Sequence, residues 1–86
     1  MRALFVGGTV DNSELDIEGD TPPTHYPPDT GTGTPRYRLR RIGRHADTIA
    51  YVVYGAPELP DEEVQRVAEE RAYARRFEAE ESAAAD

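Results

Sequence analysis

The chain has no cysteine and no lysine. The first absence excludes disulfides, thiolate chemistry and Cys-based zinc sites. The second leaves all ten basic residues as arginine. Arginine's planar guanidinium suits bidentate contact to carboxylate or phosphate, and its exclusive use fits a GC-rich bacterial or phage coding sequence. No apolar run approaches the roughly 18 residues of a membrane span. The run within Met1-Arg2-Ala3-Leu4-Phe5-Val6-Gly7-Gly8 is also too short for a signal peptide. These absences predict a soluble, cytoplasmic protein with no membrane partner. Positive charge is scarce overall, and a net charge of −7 argues against general affinity for nucleic acid. Histidine occurs twice, at His25 and His45, in no metal-spaced pair, and no Ser stands in a nucleophile motif. The expectation is therefore a non-enzyme, with no catalytic residues, no metal site and no cofactor.

What positive charge there is lies in one place. Residues 1–35 hold one Arg against six acids, a net of −5. Residues 36–54 hold five Arg against one acid, a net of +4, and residues 55–86 hold four Arg against ten acids, a net of −6. One basic surface on an acidic chain either binds an anion or is neutralised by the protein's own acids. Eighty-six residues suit one small domain, which buries only about 60–65% of its unfolded surface. Stability at that size is marginal, so an oligomer or a stabilising partner is expected.

Along the chain, Ala3-Leu4-Phe5-Val6 reads as a strand, and Gly7 to Asn12 as turn residues. Ser13 to Glu18 alternates, with Leu15 and Ile17 on one face, so the two segments predict a hairpin. Residues 20–35 hold five of the seven prolines and predict a long loop. Arg36 to Ile42 alternates again, with Arg36, Arg38 and Arg40 on one face and Tyr37, Leu39 and Arg41 on the other. Gly43 to Asp47 reads as a turn. Thr48 to Tyr54, β-branched and aromatic and apolar on both faces, predicts a central strand. Pro60 with Asp61, Glu62 and Glu63 opens a helix that frays after Phe77. The expected fold class is α+β: a small antiparallel sheet of three to four strands, with one C-terminal helix packed on it. The expected organisation is a single domain over 1–79, with a flexible acidic tail over 80–86.

Several constellations were candidates for function. Three guanidinium groups on one strand face repeat at about the spacing of successive phosphates, with Tyr37 and Tyr51 as stacking surfaces. The competing reading is a cross-strand charge ladder in which Glu14, Asp16 and Glu18 cancel the Arg face. Asp11 to Asp20 is acidic but lacks the order and distal Glu of a calcium loop. Gly7-Gly8 follows a strand but carries neither phosphate-loop signature. The helix acids could mimic nucleic-acid phosphates, but Arg66, Arg71, Arg75 and Arg76 interrupt them.

The segment Ala3-Leu4-Phe5-Val6-Gly7-Gly8-Thr9-Val10-Asp11-Asn12-Ser13-Glu14-Leu15 resembles the start of small uncharacterised bacteriophage and prophage proteins. In those, a short strand leads to a Val-Gly-Gly-Pro-x-Asp-Gly turn, a second strand, a Pro-rich loop and a Tyr/Arg-rich strand. Thr9 and Asn12 replace the usual Pro and Gly, and Asn tolerates the left-handed turn conformation. The resemblance implies a phage or mobile-element origin and transfers no active-site residues. The expected function is that of a non-enzymatic accessory protein that binds a host or virion protein, an inhibitor of a host complex being one version, with nucleic-acid binding through the Arg-rich strand 36–44, or a minor virion component, as the alternatives. The candidate binding residues are Arg36, Arg38, Arg40, Arg41, Arg44 and Tyr37, with His25 and Tyr26 in the Pro loop.

Overall fold

The computed structural model describes residues 1–27 and 36–84. Strand β1 spans Arg2–Val6, β2 Glu14–Asp16, β3 His25–Tyr26, β4 Tyr37–His45, β5 Thr48–Gly55 and β6 Glu80–Ala83. Helix α1 spans Asp61–Glu70 and α2 Tyr73–Arg76. The fold is α+β, as expected, but among the described residues the sheet has six strands and is mixed rather than wholly antiparallel, and there are two α-helices. Its order is β2-β1-β5-β4-β3, with β6 also on β4. The parallel pair is β1 with β5. Both strands are apolar on both faces, so both belong inside the sheet, where each is flanked on two sides.

The hairpin and the central strand form as read. β1 and β2 pair antiparallel with Ala3 opposite Leu15, and β5 lies between β1 and β4 with residues 51–55 buried. Asn12 adopts φ 66°, the left-handed turn position its side chain tolerates. The expected turn at Gly43–Asp47 shrinks to Ala46-Asp47, because His45 still pairs with Thr48.

Three expectations needed correction. Part of the Pro-rich loop is a strand, since His25 and Tyr26 pair with Arg38 and Tyr37; residues 28–35 lie outside the described residues. The helix stops at Glu70 instead of running to Phe77. Ala72 turns left-handed (φ 55°), and the chain restarts as α2. The break swings Tyr73 and Phe77 against Tyr51, with ring centroids 6.1 and 5.0 Å away. Residues 80–83, assigned to a loose tail, are β6 and pair with Arg41–Arg44; residues 85–86 lie outside the described residues.

The sheet carries a core on each face. On one, Leu4, Val6, Tyr51 and Val53 pack against Val64, Ala68 and Tyr73 of the helices. On the other, Ala3, Phe5, Ile42, Val52 and Tyr54 are covered by Tyr26, Tyr37, Ile17, Met1 and neighbouring side chains rather than by a helix. No described helix is long and apolar enough to cross a membrane.

Candidate functional site

The arginine strand β4 does not present the regular face its alternation suggested. A bulge between Leu39 and Arg41 adds one residue against β5. Two residues then oppose one, which breaks the alternation and turns Arg41 to the helix face along with Arg38 and Arg40. All three donate within the protein. Arg40 is 4% exposed; its Nη1 donates to Asp61 Oδ1 at 2.8 Å and its Nη2 to the Ala56 carbonyl at 2.9 Å. Arg38 Nη2 reaches the same Asp61 oxygen at 3.3 Å. Arg41 Nε donates to Glu81 Oε2 at 2.9 Å. Glu81 also accepts from the Tyr51 hydroxyl at 2.7 Å. Burial, followed by the bond to Glu81, pushes the Tyr51 phenol well above its ordinary range. Gly43 makes this network fit, because a Cβ there would lie 2.1 Å from the Tyr51 ring.

These three arginines are thus partly neutralised internally, by two carboxylates, but not by the expected ladder. Glu14 and Asp16 sit on β2, at the far edge of the sheet from β4. They pair instead with Arg2 and Arg76. The acids that meet β4 come from the start of α1 and from β6. Arg44 is exposed at the end of β4, 3.5 Å from Ser82 Oγ, and Arg36 is half-buried just before β4. The histidines, read as solvated loop residues, lie toward opposite ends of β4. His25 is opposite Arg38, and His45 Nδ1 is 2.7 Å from the Glu78 carbonyl and donates to it.

A different site forms on the face of the sheet opposite α1 and α2. An open cleft of about 330 Å³ is lined by Phe5, Val10, Ser13, Glu14, Leu15, Tyr26, Pro27 and Tyr37. Its floor is a cluster of aromatic rings. Phe5 stacks on Tyr54 at 5.6 Å and 21°, and meets Tyr37 edge-on at 5.3 Å and 87°. Tyr26 closes the cluster against Phe5 and Tyr54. The wall is fixed by Tyr37, whose hydroxyl donates to the Gly7 carbonyl at 2.5 Å and accepts from the Val10 amide at 3.2 Å. Tyr54 donates to the Pro23 carbonyl at 2.8 Å, and burial pushes its phenol up to about 12. The rim is apolar and open: Val10 is 40% and Leu15 39% exposed.

Of the residues nominated from sequence, Tyr26 and Tyr37 meet at this cleft, while the arginines and His25 do not line it. Phe5, Val10, Leu15 and Pro27 were not nominated. Phe5 read as an ordinary core residue of its strand, and only the sheet order brings it beside Tyr26 and Tyr37. Among the described residues no group of three or more His, Asp or Glu is placed to hold a metal ion. The chain matches no protein-family model, no curated protein and no solved structure.

Proposed function

We propose that the protein is a non-enzymatic binding module, an accessory protein of phage or mobile-element type, that engages a host or virion protein through the aromatic cleft. The observation that carries this reading is the open apolar rim. Val10 and Leu15 are large apolar residues left exposed beside rings held in a fixed array. A rigid aromatic floor with a free apolar rim is the usual receptor for an anchoring side chain of a protein ligand. Binding through the arginine strand has less support, because Arg38, Arg40 and Arg41 already donate to Asp61, Ala56 and Glu81.

Selection from a displayed random-peptide library tests the proposal. Enriched peptides should share an apolar anchor. Their binding should fall at least about tenfold when Leu15→Glu or Val10→Glu places an unpaired charge at the rim, with circular dichroism unchanged. Enriched peptides that bind both variants as well as the parent would remove the cleft as the binding site.

A further inference from the structure

Strand β2 is the outer edge of the sheet, paired on one side with β1. Among the described residues it has no second partner. Its register decides which groups point outward. Met1 and Ile17 exchange backbone hydrogen bonds, Ile17 N donating to Met1 O at 2.8 Å and the Met1 amine donating to Ile17 O at 2.9 Å. Phe5 N donates to Ser13 O at 3.0 Å. Bonded pairs alternate in an antiparallel ladder, so Leu15 turns its backbone inward to Ala3, and Glu14 and Asp16 turn theirs outward. The open edge therefore presents two residues' worth of donors and acceptors to a further strand.

The side chains along that edge are just as ordered. Leu15 lies on the cleft face, at the cleft rim. Glu14 and Asp16 lie on the other face, and Asp16 is 82% exposed. The local charge is negative. Asp11, Glu14, Asp16, Glu18 and Asp20 stand against Arg2, the Met1 ammonium and the two cations borrowed from the helix region, Arg71 and Arg76, which leaves −1.

We infer that β2 accepts an extended segment of a partner protein in which basic and apolar residues alternate, added as a seventh strand. The inference rests on the cleft reading above and names its ligand. The segment's backbone pairs with Glu14 and Asp16. Its apolar side chain falls opposite Leu15, in the position where paired side chains approach most closely, and leans over Leu15 toward the aromatic floor. Its basic side chains fall opposite Glu14, which Arg2 and Arg76 already hold, and Asp16, whose 82% exposed carboxylate bonds Arg2 through one oxygen, so charge pairing selects them chiefly at Asp16. A second copy of this chain is the wrong occupant. Two β2 edges would set acid against acid, and like charges directly opposite each other destabilise a strand pair.

Three fluorophore-labelled pentapeptides test this by anisotropy, with backbone amide spectra of the isotope-labelled protein as a second reading. One alternates Arg and Leu; one alternates Glu and Leu; the third is the Arg-Leu peptide with N-methyl groups on the bonding edge. The Arg-Leu peptide should bind, shift the amides of 14–16 and bind more weakly as salt rises. The other two should bind at least about tenfold more weakly, and Asp16→Lys should reduce the Arg-Leu peptide's affinity without changing the fold. Equal binding of the Glu-Leu peptide, or shifts confined to Phe5, Tyr26 and Tyr37, would overturn edge pairing while leaving the cleft reading intact. A dimer in sedimentation that masks the 14–16 amides would also overturn it. Absence of binding by all three peptides overturns the inference, whereas the cleft reading fails only if the library selection fails with it.

Discussion

Arg40 is the residue whose surroundings most change its meaning. On sequence it is one of five cations in a basic patch. In the fold it is a buried guanidinium with one carboxylate, one carbonyl and a buried Nε that has no hydrogen-bond partner. A buried ion pair contributes little net stability, but breaking one side of it is costly. The two partners are also unequal, because Asp61 is 71% exposed and would be well solvated on its own. Asp61→Ala should therefore destabilise the protein by about 3 kcal/mol, because it strands the buried charge. Arg40→Leu should cost much less, and should rescue Asp61→Ala in the double variant. Urea unfolding of the three variants checks the order; equal losses for both single variants would show that Arg40 is not the member held by the pair.

Among the elements, what was legible depended on whether local chemistry decided the outcome. Thr48–Tyr54 could be read because its β-branched and aromatic residues suit a buried strand wherever the chain places it. The helix break could not, because neither left-handed position carries the usual glycine: Ala72 has φ 55° and Glu78 φ 52°. Glu78 closes α2 with a paired C-terminal motif, in which Ala79 N donates to Ala74 O at 2.8 Å and Glu78 N to Arg75 O at 3.2 Å. Strand β6 was hidden for another reason. Glu80-Glu81-Ser82-Ala83 has no apolar alternation, and Glu81 belongs in a strand only because Arg41 and Tyr51 wait for it across the sheet. The same holds for the site. Tyr26 and Tyr37 drew notice as aromatics in unusual segments, whereas Phe5 and Leu15 gain their role from strand order. Glu78→Gly should stabilise the protein by about 0.5–1 kcal/mol, by relieving the left-handed strain while keeping the carbonyl that His45 contacts. Thermal unfolding checks this, and a lower midpoint would contradict it.

For the molecule as a whole, charges cancel between elements distant in sequence. Asp11 binds Arg71 of the helix region at 2.9 and 3.0 Å, and Glu14 binds Arg76 at 2.6 Å. The Gly7 amide and then Arg71 hold the Asp11 carboxyl below its ordinary value, and Arg76 does the same for Glu14. A depressed carboxylate stabilises the fold at pH above its unfolded value, and that contribution is lost as pH falls through the folded one. Acid unfolding should therefore develop below about pH 4, and Asp11→Asn should flatten its lowest part. The tyrosines act at the other end. Tyr51 and Tyr54 are held protonated in the fold, so rising pH favours the unfolded chain once it passes the ordinary phenol value of about 10. Tyrosinate absorbance from these two should appear together with the loss of circular dichroism; ionisation of Tyr54 well before unfolding would contradict its burial.

The outer edge of β4 is shared by β3 at one end and β6 at the other, and Ala84 N donates to Arg40 O just beyond β6. While the chain is being made, β4 and β5 can pair as soon as residue 55 is free, but half of the β4 edge stays bare until residue 84 has left the ribosome. During that interval the outer backbone groups of Arg41–Arg44, which β6 later covers, are exposed to other nascent chains. The protein's exposure to misassembly is thus set by the time needed to translate its helices. A pause introduced between codons 56 and 79 should lower soluble yield without altering the finished molecule.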